Sequence, residues 1–233
     1  MSEIFEQINY GLNVQGIVET DDCKVMRLND SSGDGTMTLY QVFPGVFLMY
    51  NDFHMKQCVS GFQTDMDLLC IDHCREGRIE QEAGAGAYSY LEAGDLRVDQ
   101  RIHHNGKVTF PLCHYHGISI GFQMSVATKE IPAHMKDFSV DLYELQKKYC
   151  SDPKPFVIPG ELAIEHIFSE LYNVPLKIEK DYFKIKVLEL LLYLDALELS
   201  GHTEERPYFY KGQVEKIKAI QALLTEDLTK SYT

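Results

Sequence analysis

MDLLCIDHCREGRIEQEAGAGAYSYLEAGDLRV, residues 66–98, is the stretch on which the fold turns. Met66–Arg75 is a β-like run, Glu76-Gly77 reads as a turn, and Arg78–Glu82 reads as the returning strand of a hairpin. Tyr88–Val98 reads as two short strands around a turn at Glu92-Ala93-Gly94-Asp95. Working outward, Thr38–Tyr50 (TLYQVFPGVFLMY) is rich in β-branched and aromatic residues, with Pro44-Gly45 as a break. Phe110–Phe122 supplies further strand, broken by Gly117, and His103-His104-Asn105-Gly106 reads as an exposed turn. Short strands at roughly ten-residue spacing, separated by Gly and Asp turns, argue for a sandwich or barrel.

Beyond about Lys129 the pattern changes period. Val140–Tyr149 reads as a short helix, and Ser151–Pro155 as a linker. A helix from about Glu161 to Tyr172 is stopped by Asn173-Val174-Pro175. A longer one runs from about Glu179 to Leu199, and a third from about Gly212 to Leu228. On the middle helix, Phe183, Val187, Leu190, Leu194 and Leu197 form one apolar stripe, and Ile185, Leu188, Leu192 and Leu199 form another, almost opposite. A helix with two apolar faces must be covered on both, either within one chain or with one face against a second subunit; a homodimer is expected, with the first stripe as its candidate contact and the choice of face left open. The last helix carries its own stripe, Val214, Ile217, Ile220, Leu224 and Leu228. The class expected is α+β.

Composition narrows the functions. The chain has 233 residues, of which 45% are hydrophobic and 24% charged, as in ordinary globular proteins. Its net charge of −13 opposes phosphate binding; residues 161–233 hold 9 Lys and Arg against 13 Asp and Glu, so neither half reads DNA unaided. The longest apolar run, Leu190–Leu194, is too short for a bilayer, and Met1–Tyr10 lacks signal-peptide character, so no membrane contact and a cytoplasmic location are expected. Six scattered cysteines without a C-x-x-C pair read as inert thiols.

The chemistry-bearing residues are few. His114-Tyr115-His116 on a strand would place both imidazoles on one face. Such a pair can ligate metal, but no Glu follows until Glu130, so no metal and no cofactor are expected. Two inward-facing rings would instead give a small polar solute hydrogen-bond partners in an apolar cavity, and His73 is a further candidate of the same kind. There is no G-x-S-x-G elbow, no activated cysteine and no phosphate loop, so an enzyme is not expected.

Several segments together resemble the N-terminal region of AraC-type transcriptional regulators: Ile71–Glu80, Tyr90–Leu96 (YLEAGDL), Phe110–Ile118 (FPLCHYHGI) and Pro207–Ile220. The resemblance implies a cupin-like (double-stranded β-helix) barrel over 1–137 that binds an effector. It further implies a short helix and linker over 138–160, helices that dimerise over 161–204, and 205–233 leading into a helix-turn-helix domain. It also implies that the strand around His114, His116 and Ile118 lines the effector pocket. The stretch from Gly86 through Glu92-Ala93-Gly94 resembles the second cupin motif, but Arg97 stands where that motif has a metal-binding His and Arg101 where it has Asn. Arginine does not ligate cations usefully. The chain stops at Thr233, where the first helix-turn-helix would have barely begun, so DNA contact is expected only through a domain absent from this sequence. The competing readings are a metal-dependent cupin enzyme and a dimerisation module without a ligand.

Overall fold

Alternation with period two organises the molecule, because the main sheet is covered on both faces. A computed structural model describes residues 8–20, 23–83, 87–101, 103–152, 154–199 and 209–226. Ten strands come first: β1 (Val14–Glu19), β2 (Cys23–Asp30), β3 (Gly33–Phe43), β4 (Val46–His54), β5 (Gln57–Gln63), β6 (Leu68–Ala83), β7 (Ala87–Glu92), β8 (Leu96–Gln100), β9 (His103–Thr109) and β10 (Tyr115–Gln123). They are followed by α1 (Met124–His134), α2 (Leu142–Tyr149), β11 (Phe156–Ile158), α3 (Leu162–Leu171), α4 (Glu179–Ala196), β12 (Phe209–Tyr210) and α5 (Lys211–Glu226). The larger sheet runs β1-β2-β3-β4-β10-β6-β8-β11, the smaller β5-β9-β6-β7-β12, and the described pairings are antiparallel.

The 16-residue β6 belongs to both sheets and curls one over the other. Glu76-Gly77 is therefore not a hairpin turn. The β6–β10 register skips Arg75, pairing His116 with Glu76 and Gly117 with Cys74, so the strand bulges and bends without reversing. Gly77 sits at φ +86°, and a Cβ there would fall 2.2 Å from the His114 carbonyl oxygen, which only glycine tolerates. Gly117 likewise does not break β10, which runs through it; its missing side chain makes room for the Tyr115 hydroxyl. His103–Gly106, read as a turn, lies within β9 and pairs with β5. The turns at Pro44-Gly45 and Glu92–Asp95 stand where expected, between β3 and β4 and between β7 and β8.

One face of the main sheet encloses the barrel interior, with Met26, Leu39, Phe47, Leu68, Phe110 and Tyr115 among its buried residues. The other face, with Leu48, Ile71, Val98, Ile118, Ile120 and Phe122, packs against α1–α4. Helix α1 was not anticipated; Met124, Ala127 and Ile131 are its buried side, and Pro132 near its end disguises the pattern. On α2, Asp141 caps the first turn by accepting from the amides of Tyr143 and Glu144 at 2.8 and 3.2 Å.

The candidate partner stripe on α4 is used inside the chain. Phe183 is 2% exposed, and Val187, Leu190 and Leu194 are completely buried against the sheet's outer face. Leu197, just past the helix, packs on the same core. The covering surface is the sheet itself, which counting helices alone overlooked. Of the opposite stripe, Ile185 is 59% and Leu192 43% exposed, whereas Leu188 and Leu199 pack on the core. On α5, Val214 is buried while Ile217, Ile220 and Leu224 are exposed; Leu228 and the chain end lie outside the described residues. No described helix is long and apolar enough to cross a membrane. All six cysteines are free thiols, and burial pushes the Cys58 and Cys74 thiols up to about 12.

Candidate functional site

The barrel interior holds a cavity of about 170 Å³ with two kinds of wall. Val14, Leu28, Met37, Phe47, Met49 and Phe62 make it largely apolar. The polar wall is contributed by inward positions of four neighbouring strands: Asn51 on β4, Ser119 on β10, Asp72 and Gln81 on β6, and Arg97 on β8, with Arg101 just beyond. Asp72 is 2% and Arg97 5% exposed.

These groups form one network. Arg97 donates through Nε to Asp72 Oδ2 at 3.0 Å, through a second nitrogen to the same oxygen, and to Gln81 Oε1. Arg101 donates to Asp72 Oδ2 at 2.6 Å and to both oxygens of Asp99 at 2.8 and 3.0 Å. Asn51 Nδ2 donates to Ser119 Oγ at 3.0 Å, and Ser119 bonds to Asp72. Burial alone would raise the Asp72 carboxyl, but Arg101 and then Arg97 outweigh it and hold it well below the usual carboxylate range. Two guanidinium and two carboxylate groups leave the wall polar but charge-balanced. Also in the cavity lining, the Tyr10 hydroxyl is buried with no hydrogen-bond partner, and burial first, then Cys70, pushes its pKa upward. A buried donor left unmade costs roughly 1–3 kcal/mol unless something arrives to accept from it.

None of the residues expected to line the pocket does so. On β10 the inward residues are Tyr115 and Ser119, so His116 and Ile118 face out, where Ile118 is fully buried under the helices. His114 precedes β10, with Nδ1 3.0 Å from the Leu112 carbonyl oxygen. His73 also faces out, stacked on Phe168 at 4.1 Å between ring centroids and 7° between planes. It lines a separate external cleft with Arg75, Glu165 and Tyr172. The residues missed, Asp72, Arg97 and Arg101, carried a signal: charged side chains between apolar neighbours in β-like runs, as in Leu96-Arg97-Val98.

Burial, with Arg75 nearby, lowers the His73 pKa to about 4. Between pH 4 and its ordinary value near 6.5, the unfolded chain binds this proton and the folded chain does not. Stability therefore rises with pH across that window and is fully present above it. His73→Phe keeps the stack on Phe168 and is expected to flatten the slope by at most about 1.4 kcal/mol per pH unit. Urea midpoints of both proteins between pH 4.5 and 7 measure this; equal slopes refute it.

On the outer face, among the described residues, one trio of metal-ligating groups converges: Asp52, His54 and His116 offer ligand atoms all within 4.8 Å of one another. Asp52 Oδ1 lies 2.9 Å from His54 Nε2 and 2.8 Å from His116 Nε2, and His116 Nδ1 lies 3.8 Å from Glu76 Oε2.

No protein-family model matches this chain, and no curated protein matches it. Among solved structures it is similar to the AraC-like transcriptional activator CuxR, at 10% identity over 95% of this chain and 73% of that one, with a TM-score of 0.43. It is similar to wild-type ToxT from Vibrio cholerae strain SCE256 with an unsaturated fatty acid bound, at 11% identity over 80% and 65% of the two chains, TM-score 0.42. It is similar also to a Cupin 2 conserved barrel domain protein from Salinispora arenicola CNS-205, at 15% identity over 52% and 87%, TM-score 0.31.

Proposed function

We propose that this chain is the effector-sensing and dimerising part of an AraC-type transcription regulator, with the barrel cavity as the effector site and no catalytic activity of its own. The family reading rests on the sequence segments quoted above. The observation that carries the sensing role is the Tyr10 hydroxyl, a buried unpartnered donor in a cavity that also presents Asn51 and Ser119. The effector chemistry follows from the walls. Arg97 and Arg101 already have carboxylate partners, so the site favours a neutral polar end on an apolar body. At about 170 Å³ the space is smaller than the ~300–1,000 Å³ of drug-sized pockets, so a compact metabolite fits without rearrangement.

A route from cavity to output is built into β6. Ile79 and Gln81 line the cavity, whereas Glu80 between them points away and binds Lys218 of α5, Tyr90 and Thr109. Burial opposes ionisation of Glu80, but the Lys218 hydrogen bond first and then that from Tyr90 lower its pKa. Lys211 adds a contact to Glu82 at 2.9 Å, and β12 pairs with β7. An effector that shifts β6 changes how α5 is held, biasing a domain that follows it. The dimer contact is proposed on the open face of α4. Ile185 and Leu192 are exposed there one heptad apart, and Ile178, exposed just before the helix, stands seven residues ahead of Ile185.

A thermal-shift screen of small neutral aromatic and alicyclic metabolites is expected to yield ligands that raise the melting temperature. Tyr10→Phe is expected to weaken them about tenfold, the loss of one hydrogen bond of about 1.4 kcal/mol. Ligands indifferent to Tyr10→Phe and to Ser119→Leu would place binding elsewhere and sink the assignment.

A further inference from the structure

We infer that Asp52, His54 and His116 form a site for one divalent transition-metal ion of the zinc class, outside the barrel. Strand register builds it. Asp52 on β4 stands directly opposite His116 on β10, and His116 stands opposite Glu76 on β6. His54 is two residues beyond Asp52, on the same face. Two imidazoles and a carboxylate therefore meet through backbone pairing that is fixed by the core beneath them.

The donor set is nitrogen, nitrogen and oxygen, which suits zinc and its neighbours rather than calcium or magnesium. Around a tetrahedral zinc at about 2.1 Å, ligand atoms lie about 3.4 Å apart. The 2.9 and 2.8 Å separations from Asp52 Oδ1 need only a small opening of side chains that are largely exposed, Asp52 at 57% and His54 at 63%. The second observation is at His116. Its Nε2 is buried and lies 2.8 Å from Asp52 Oδ1, yet makes no hydrogen bond there. A lone pair directed at a cation satisfies that nitrogen where the carboxylate does not. On the other side of the ring, Glu76 lies close to Nδ1. Drawn in from 3.8 Å to hydrogen-bond range, that carboxylate would favour the tautomer with Nε2 free to ligate, the arrangement found behind most metal-bound histidines. The fourth position is open to water or to His114, whose ring centre lies 6.0 Å from that of His116. The site is separate from the interior cavity, whose described lining contains no histidine, and it does not depend on the effector reading.

Untagged full chain, stripped with a chelator, is titrated with Zn²⁺ against a chromophoric competitor and, separately, with Co²⁺ by visible absorption. The expected result is one saturable equivalent, with Co²⁺ giving the d–d bands of a low-coordinate N/O site. The double variant His54→Ala/His116→Ala is expected to lose that equivalent. Glu76→Gln, a positioning change, is expected to weaken binding about 10- to 100-fold. His54 and Glu76 are exposed and the His116 side chain is 31% exposed outside the core, so circular dichroism and melting of the metal-free variants should stay close to wild type. Absence of a stoichiometric equivalent in wild type overturns the proposal, as does its retention in the double variant.

Discussion

Asp72→Ala is expected to cost about 3–5 kcal/mol of folding stability, enough to leave much of the chain unfolded at 37 °C. Asp72 is the shared acceptor of Arg97 and Arg101, and it is almost fully buried between them. Removing it leaves two guanidinium groups with Asp99 as their one remaining carboxylate among the described contacts and Gln81 as a neutral acceptor, in a barrel whose lining is largely apolar. Most of the loss comes from uncompensated buried charge rather than from the hydrogen bonds themselves, because the net worth of an intact buried ion pair is small. That reasoning fixes a second expectation: Asp72→Leu combined with Arg97→Met should be markedly less damaging than Asp72→Ala alone. The acid limb of stability carries the same signature. The folded carboxyl is depressed below its unfolded value near 3.9, so its contribution is complete above that pH and is lost as pH falls through the folded value. Urea unfolding at pH 7 and pH 3 reads both effects. A neutral-pH loss under 1 kcal/mol would mean that the network opens readily to water.

The sequence made the barrel legible through its turns and alternation, but it did not say which face of a strand points inward. In a sheet with one wet face, polarity decides. Here β10 presents Ile118, Ile120 and Phe122 to the helices and Tyr115 and Ser119 to the interior, so the more apolar side is the outer one. His116 on β10 therefore faces out rather than in, by a one-residue difference in parity that inverts every side chain, and His114 lies just ahead of the strand. Glu76-Gly77 misled for a related reason: a glycine at positive φ serves a bulge as well as a turn, and local sequence does not tell bending from reversal. Arg97 was weighed only as a residue unable to hold metal, whereas its position between Leu96 and Val98 marked a buried charge needing a partner. The partner, Asp72, lies 25 residues away, and only strand pairing brings the two together.

Leu194→Asp is expected to abolish folding rather than assembly, which separates the two faces of α4. Leu194 is fully buried, and its carbonyl accepts from the Tyr149 hydroxyl at 2.8 Å and from Lys148 Nζ at 2.9 Å, so the helix end is pinned against α2. A carboxylate placed there enters the apolar core, where Lys148 is already held by the Leu194 and Asp195 carbonyls, and costs more than about 4 kcal/mol, beyond what most domains can lose. The variant should yield aggregated chain or a collapsed state without cooperative melting. Ile185→Glu/Leu192→Glu alters only exposed positions and should leave the melting of an isolated subunit within about 0.5 kcal/mol of wild type. If the open face is the dimer seam, sedimentation velocity at tens of micromolar should show wild type as a dimer and this double variant as a monomer. A monomeric wild type at that concentration removes the seam altogether. A Leu194→Asp chain that stays folded but dissociates would reverse the assignment of faces, because it would mean that each α4 docks on its partner's barrel and that the stripe buried here is the interface after all.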